Sequence, residues 1–301
     1  MSVSAQSSRP ALEISAPAKV NLWLEVLGKR PDGFHELRTI MQTVSLADTL
    51  RFHRRDDGEI RLSCDAPDMP PPEENLVVRA ARLLRERSDC TAGVDIELKK
   101  RIPMGAGLGG GSSDCGHTLR ALNQLWGLNW DAERLCEAAA ELGSDVPFFL
   151  SGGTALCEGR GEKVTSLEVN NVFDYVLILP DVSVATAEVY AAVKPALTNS
   201  KSRINICTGR RALETGDAHL LGSVLRNDLQ GPAFQICSKV KQTAETVQTV
   251  MPQPGCYGFG LSGSGAAFFA VCAGPEDADR LAAMLAGKGL AARSVRSADS
   301  D

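Results

Sequence analysis

The stretch Pro103-Met-Gly-Ala-Gly-Leu-Gly-Gly-Gly-Ser-Ser-Asp114 places five glycines within seven residues, between a segment with strand character and one with helix character. Glycine allows backbone N–H groups to turn inward and to approach a ligand closely. The start of the following helix adds unpaired N–H groups and the positive end of a helix dipole. The pattern predicts an anion cradle, in which Ser112 and Ser113 can offer hydroxyls to phosphate or Mg²⁺. The alternative, a flexible turn, would carry the entropic cost of five glycines without any function.

The glycine loop does not match either of the two best-known phosphate loops. Gly105, Gly107 and Gly110 satisfy the G-x-G-x-x-G fingerprint of dinucleotide-binding folds. That fingerprint also requires an acidic residue about 20 positions later, at the end of the next strand. Asp131 has nearly this spacing, but it opens a predicted helix. A P-loop requires a lysine directly after its last glycine, and none is present here.

An alternating strand precedes the glycine loop in the chain and carries two polar side chains on one face. The segment Leu12 to Leu27 is predicted to be a strand with one apolar face: Val20, Leu22, Leu24 and Val26. Lys19 and Asn21 then share the opposite face, because strand side chains alternate with a period of two. The alternative for Lys19 is a solvated surface lysine, and its apolar neighbours argue against this.

Two further segments can complete a site around the glycine loop. The stretch Gly258–Gly265 is predicted to be a turn between two strands, and such a turn can lie against the first glycine loop; the alternative is a tight hairpin without function. The segment Leu142–Phe148 holds Asp145 on a loop between a helix end and a proline. Asp145 can be a general base if it faces the cleft, or else a turn former or helix cap.

Strands and helices alternate along the chain, which predicts an α+β fold in two domains. We expect a tail over residues 1–11, an N-terminal domain over 12–161 and a C-terminal domain over 162–301. The pattern also predicts a hairpin at Asp56-Asp57-Gly58 and a helix from about Ser113 to Trp126.

Composition excludes several classes of protein. Hydrophobic residues make up 44% and charged residues 23% of the chain, as in ordinary soluble globular proteins. The net charge of −5 argues against a nucleic-acid binder. No apolar run approaches the roughly 18 residues of a membrane span, and the Ser-rich first ten residues do not resemble a secretion signal. Nine cysteines without a C-x-x-C pair favour a reducing cytoplasm.

Three of these segments together resemble the GHMP kinases, the superfamily of galactokinase, homoserine kinase, mevalonate kinase and phosphomevalonate kinase. Pro103–Ser113 is similar to their phosphate-binding motif, Ala16–Leu22 to their first motif and Gly260–Gly265 to their third. Within the superfamily, the chain is most similar to the kinases that act on cytidine diphosphate methylerythritol. The residues that carry this closer similarity are Ala16–Leu24, Gly28–Leu37, Glu74–Ala81 and Leu142–Phe148.

The resemblance implies an ATP-dependent kinase of isoprenoid precursor biosynthesis, with Mg²⁺ as cofactor and an active site in the cleft between domains. Asp145 would take the proton from the tertiary 2-hydroxyl of the substrate, and Lys19 would neutralise charge beside it. Asn75 and Lys100 would lie near the nucleoside end of ATP. The ATP phosphates would lie along Pro103, Met104, Gly105, Ala106, Gly107, Leu108, Gly109, Gly110, Gly111, Ser112 and Ser113. The substrate would contact Asn21, Phe34, His35, Thr186, Tyr190 and Gly263, with His35 at the cytosine edge and Phe34 and Tyr190 stacked on the ring.

Two positions depart from the family pattern, and three other functions stay open. Phe34 stands where the family usually has tyrosine, which keeps ring stacking but loses a hydroxyl. Cys115 stands where alanine is usual, and a small buried thiol should be tolerated there. The alternatives are a GHMP kinase with another alcohol substrate, a catalytically silent nucleotide-binding protein and, more distantly, a Rossmann dehydrogenase.

Overall fold

Two long strands form the centre of the structure, a computed structural model that describes residues 12–67, 69–193 and 201–298. The predicted tail over residues 1–11 lies outside the described residues. Strands β1 (Leu12–Lys29) and β2 (His35–Arg55) pair antiparallel along their whole length, with Lys29 opposite His35. The turn between them therefore brings residues 30–34 to one end of the sheet.

The larger sheet has the order β3-β4-β2-β1-β8, and β2 also pairs with β5, which pairs with β6. The first half of β2 pairs with β5 and the second half pairs with β4, so this one strand links both parts of the sheet. The remaining strands are β3 (Ile60–Cys64), β4 (Gly93–Lys99), β5 (Thr154–Gly159), β6 (Lys163–Leu167) and β8 (Arg226–Asn227).

The predicted hairpin at Asp56-Asp57-Gly58 is wrong. Strand β4 lies between β2 and β3, antiparallel to β2 and parallel to β3. The reason is burial: alternate residues of β4, Val94, Ile96 and Leu98, are almost fully buried, whereas β3 is only half-buried. Pairing β4 beside β2 therefore removes more apolar surface from water than a β2–β3 hairpin would.

Four helices pack with the larger sheet and with one another. They are α1 (Leu76–Glu86), α2 (Gly110–Leu125), α3 (Ala132–Leu142) and α4 (Val146–Ser151). Helix α2 begins three residues before the predicted Ser113, so two glycines of the loop belong to its first turn. Its buried residues, including Cys115, pack with α1 and β4 in one apolar core.

The second sheet is antiparallel, in the order β11-β7-β10-β9. Its strands are β7 (Asp174–Ile178), β9 (Cys256–Leu261), β10 (Phe268–Cys272) and β11 (Ala292–Arg296). The two strands predicted beside the second glycine stretch are confirmed by β9 and β10, although β9 extends through Gly258 and Gly260 to Leu261. The helices of this half of the chain are α5 (Thr186–Ala191), α6 (Lys201–Thr215), α7 (Ala218–Ser223), α8 (Gln230–Ile236), α9 (Ser238–Val250) and α10 (Pro275–Gly287).

Side chains from both sheets share one apolar core. Val20 and Trp23 of β1 belong to the same buried cluster as Tyr175 and Phe269 of the second sheet. The Tyr175 hydroxyl donates a hydrogen bond to Gln42 of β2 across this core. The predicted domain boundary at residues 161 and 162 stays a prediction; it falls in the turn between β5 and β6. In the described part of the chain, no helix combines the length and apolarity that crossing a membrane requires.

Candidate active site

The glycine loop has the backbone conformation of an anion cradle. Gly105, Gly107 and Gly109 have φ values of 65°, 77° and 71°, in the left-handed region that glycine adopts most readily. The N–H of Ser113 is the first to bond back into α2, to the carbonyl of Gly109 at 2.8 Å. The N–H groups of residues 110–112 therefore have no partner within the helix, and the positive end of the helix lies at this loop.

The two glycine loops lie in direct contact, as predicted. The Ser262 hydroxyl donates to the carbonyl of Gly107 at 3.0 Å, and the N–H of Ala267 donates to the carbonyl of Ala106 at 3.0 Å. A Cβ at Gly107 would lie 2.2 Å from the carbonyl oxygen of Ser262. The loops therefore hold each other in place, and only glycine fits at their contact.

Lys19 is buried beside the glycine loop with its ammonium fixed on three sides. Its Nζ donates to Asn21 Oδ1 at 2.6 Å and to the carbonyl of Gly107 at 3.0 Å. Asn21 in turn donates to the hydroxyl of Thr39 at 3.0 Å, which fixes the orientation of its amide. Lys19 is only 3% exposed. The alternative of a solvated surface lysine is therefore wrong.

Asp145 meets this ammonium, and its carboxylate Oδ2 lies 3.5 Å from Lys19 Nζ. Asp145 occupies the residue before α4, yet its side chain makes no capping hydrogen bond to that helix. Its carboxylate lines the same cleft as the glycine loop. The predicted approach of Lys19 and Asp145 is confirmed, and the helix-cap alternative does not describe this side chain.

The glycine loop and the Lys19–Asp145 pair line a cleft of about 1020 Å³. At its other end the rings of His35 and Tyr190 stack, with centroids 5.2 Å apart and planes at 29°. Burial, reinforced by the charge of Lys29, lowers the pKa of His35 below its usual value. All predicted site residues except Ser113 line this cleft. The structure thus brings the phosphate loop and the predicted substrate residues to one cavity.

Ser113 departs from the predicted role. It is fully buried, and its hydroxyl lies 3.4 Å from Nδ1 of His117 inside the fold. The hydroxyl of Ser112 is half-buried and lines the cleft. The early start of α2 is the reason, because it turns Ser113 toward the core. Asn75 lines the cleft while its side chain accepts a hydrogen bond from the N–H of Val77 and caps α1.

Lys100 belongs to a buried ion triad that the sequence does not reveal. Its ammonium donates to Asp114 Oδ2 at 2.7 Å and also to Asp48 Oδ2, and the side chains of all three residues are at least nine-tenths buried. Burial lowers the pKa of Lys100, but the two carboxylates outweigh this and raise it overall. Burial raises the pKa of Asp114 to about 7. One lysine cannot balance two buried carboxylates, so the triad favours a proton on Asp114.

Arg160 and Ser264 are among the cleft residues that escaped the sequence analysis. Ser264 shares a 2.8 Å hydrogen bond with the hydroxyl of Thr186, which links α5 to the second glycine loop. The guanidinium of Arg160 lies 4.9 Å from the ring centroid of Phe34. The flanking glycines Gly159 and Gly161 were the available signal for Arg160, because they indicate a tight turn near the cleft.

Comparison with known proteins identifies the class to which this fold and site belong. The family model of the GHMP kinases N terminal domain matches residues 75–153, and that of the GHMP kinases C terminal matches residues 210–290. Crystal structures of homoserine kinase from Cytophaga hutchinsonii (TM-score 0.73, 21% identity) and of L. major mevalonate kinase with R-mevalonate (TM-score 0.72, 18% identity) share the fold. The match to the homoserine kinase covers 99% of this chain and 98% of that kinase. The match to the mevalonate kinase covers 97% of this chain and 99% of that kinase. The class is therefore that of the GHMP kinases.

More similar relatives narrow the family. The 4-diphosphocytidyl-2-C-methyl-D-erythritol kinase of Pelotomaculum thermopropionicum is 42% identical over 89% of this chain and 91% of its own. The same kinase of Pseudomonas syringae is 40% identical over 92% and 91%. A crystal structure of 4-(cytidine 5'-diphospho)-2C-methyl-D-erythritol kinase has a TM-score of 0.78 at 37% identity, over 95% of this chain and all of its own. The chain belongs to the 4-diphosphocytidyl-2-C-methyl-D-erythritol kinase family of the GHMP kinases, and the predicted resemblance is confirmed.

Proposed function

We propose that this chain transfers the γ-phosphoryl group of ATP to the 2-hydroxyl of 4-diphosphocytidyl-2-C-methyl-D-erythritol, in the methylerythritol phosphate route to isoprenoid precursors. The observation that carries the proposal is the Lys19–Asp145 pair, 3.5 Å apart and beside the phosphate loop, in a chain of this kinase family. Both ligands, ATP and the cytidyl substrate, are small molecules. The nine cysteines are free thiols, which supports a cytoplasmic enzyme.

The phosphates of ATP bind along the glycine loop and the first turn of α2. The N–H groups of residues 110–112, which have no partner within α2, and the helix dipole favour negative charge at this point. The nucleoside extends toward Asn75 and Lys100, which line the same cleft. This orientation directs the γ-phosphate toward Lys19, whose ammonium already contacts the loop at Gly107.

Proton removal and charge stabilisation fall to two different side chains. Asp145, one-third exposed to the cleft, accepts the proton of the substrate hydroxyl. Lys19 stays between this carboxylate and the glycine loop, where negative charge passes from the attacking oxygen to the transferred phosphoryl group. Because phosphoryl transfer depends mainly on positioning and charge stabilisation, the hydrogen bonds that Lys19 donates to Asn21 and Gly107 are part of the catalytic arrangement.

Mg²⁺ accompanies ATP in this proposal and supplies charge neutralisation on the phosphates. Mg²⁺ in kinases is usually held by one or two protein oxygens together with substrate phosphates and waters. The hydroxyl of Ser112 and the carboxylate of Asp145 are oxygen donors that line the cleft near the phosphate loop. The donor set therefore fits an ion that arrives with the nucleotide.

The far end of the cleft selects the cytidine moiety. Phe34 is 49% exposed and offers a ring face for stacking. His35 has a pKa below its usual value, so its neutral imidazole can both donate and accept at the cytosine edge. Because His35 itself stacks on one face of Tyr190, a base that stacks on Tyr190 uses the other face or displaces His35.

A substrate panel tests the proposal. The purified chain is incubated with ATP, Mg²⁺ and one alcohol at a time: the cytidine diphosphate methylerythritol substrate, mevalonate or homoserine. We expect ADP release and a phosphorylated product, detected by mass spectrometry, with the cytidyl substrate alone. Phosphorylation of mevalonate or homoserine at comparable kcat/KM would indicate a kinase of another alcohol. ATP binding without turnover of any alcohol would indicate a silent nucleotide-binding protein.

A further inference from the structure

Four cationic side chains line the cleft in the described part of the chain: Lys19, Lys29, Lys100 and Arg160. Two of them are already engaged by carboxylates. Lys19 contacts Asp145, and Lys100 is held by two buried carboxylates. The charge of Arg160 is balanced less tightly, because its ion pair with Glu162 spans 4.0 Å and its other carboxylate neighbour, Asp32, interacts with it only through space. A substrate with a diphosphate needs a cation at the substrate end of the cleft, and Arg160 has charge available for it.

Arg160 lies between the two ends of the bound substrate that the proposed function defines. Its guanidinium lies 4.9 Å from the ring centroid of Phe34, at the nucleobase end. The next residue, Gly161, packs against the general base, since a Cβ built there would lie 3.6 Å from Asp145 Oδ1. The side chain of Arg160 contacts Phe34 at the nucleobase end, and its backbone lies beside Asp145 at the reacting end. The guanidinium therefore lies within reach of the diphosphate that links the two ends of the substrate.

The guanidinium is also held in place by the protein. Arg160 Nη2 donates to the carbonyl of Ala140 at 3.3 Å, and its side chain is 27% exposed. A guanidinium that lies over an aromatic ring keeps its in-plane N–H groups free for other acceptors. Its planar fork matches two phosphate oxygens at once, whereas an ammonium provides only a point charge. The Arg160 side chain is therefore already oriented, so it loses little conformational entropy when a ligand binds.

We propose that Arg160 binds the diphosphate of the cytidyl substrate, with Phe34 orienting its guanidinium. The inference rests on the proposed function, because it takes the ligand to be a nucleoside diphosphate. It makes Arg160 a specificity-determining residue that distinguishes a cytidine diphosphate from an alcohol without a diphosphate. ATP lies at the other end of the cleft and does not depend on Arg160.

Binding measurements with fragments of the substrate test this without any turnover. CDP and cytidine are titrated calorimetrically into the wild type and into Arg160→Met. We expect the Kd of CDP to rise about tenfold, the loss typical of one charge-assisted hydrogen-bonded contact. The Kd of cytidine and the Kd of ATP should change less than twofold. Arg160→Lys, which keeps the charge but not the fork, should give an intermediate loss of about threefold.

The matched control is Arg134→Met. Arg134 also lies over an aromatic ring, 3.8 Å from the centroid of Trp130, but it does not line the cleft. Its replacement should leave the Kd of CDP unchanged. Thermal unfolding of each variant identifies any loss of fold, and Arg160→Lys keeps the test decisive if Arg160→Met unfolds.

Three results would overturn the inference. An unchanged Kd of CDP in a folded Arg160→Met would remove Arg160 from the diphosphate site. An equal loss for CDP and cytidine would mean that Arg160 only supports Phe34. A loss of CDP affinity in Lys29→Met but not in Arg160→Met would assign the diphosphate to Lys29. Wild type that binds neither ligand would overturn the proposed function as well, and the other results leave that function intact.

Discussion

Substitution of Gly107 by alanine tests whether contact between the two glycine loops is essential for catalysis. The added Cβ would lie 2.2 Å from the carbonyl oxygen of Ser262 and 3.0 Å from the N–H nitrogen of Gly265. Both neighbours are backbone, so the loops must separate by about 1 Å to reach normal contact distances. The φ of 77° adds strain of roughly 1–2 kcal/mol for a residue with a side chain. Misplacement by about 1 Å can cost about 100-fold in rate, so we expect kcat/KM for ATP to fall by that factor.

Gly127→Ala is the matched control. Gly127 has a φ of 66°, but a Cβ there would have no atom within 4 Å, and it lies outside the cleft. This variant carries the same backbone strain without the clash. Its unfolding free energy should fall by about 1 kcal/mol in urea titration, and its kcat/KM should stay within twofold of wild type. If Gly107→Ala and Gly127→Ala show the same kcat/KM in a coupled ATP assay, the loop contact is not essential and the reasoning is refuted.

Three further predictions concern buried charge and pH. Lys100→Met should lower the free energy of unfolding by about 3–5 kcal/mol, because it removes the ammonium that both buried carboxyl groups contact, Asp48 and Asp114; a loss below about 1 kcal/mol in urea titration would contradict the buried triad. The raised pKa of Asp114 means that the native state binds its proton more tightly than the unfolded state. Its contribution to stability is therefore complete below pH 3.8 and is lost as pH rises through about 7, so Asp114→Asn should flatten the pH dependence of the urea midpoint over this range; equal slopes would contradict it. The lowered pKa of His35 keeps its imidazole neutral down to below pH 6.5, so the Kd of CDP should rise only below that pH, and His35→Asn should remove this rise; a rise that persists in the variant would assign it to another group.

The glycine loop, Lys19 and Asp145 could each be singled out because their signals are local. Five glycines in seven residues indicate an unusual backbone, and three of them, Gly105, Gly107 and Gly109, have positive φ values. The alternation around Lys19 placed its side chain on the face opposite Val20, and the loop before Pro147 presented Asp145. The structure then brings Lys19 and Asp145 within 3.5 Å.

The remaining features depend on contacts between distant residues. Strand β4 displaces the predicted hairpin because its burial is decided by the helices that pack on it, which the turn at residues 56–58 does not encode. Asp48 meets Lys100 from 52 positions away, and no spacing rule connects them. Ser113 was assigned to the phosphate site because the start of α2 was placed three residues late. Because α2 already begins at Gly110, Ser113 lies inside its first turn, and its side chain is buried against His117 instead of facing the cleft.

The most direct test of the central claim is ATP turnover with the cytidyl diphosphate methylerythritol substrate, measured for the wild type beside Asp145→Asn. We predict Mg²⁺-dependent ADP release by the wild type and a fall in kcat of about 100-fold or more in the variant, as expected for a lost general base. The Kd of CDP should stay the same in both. Turnover retained by Asp145→Asn would contradict the role of the Lys19–Asp145 pair, and the absence of turnover by folded wild type would contradict the proposed reaction itself.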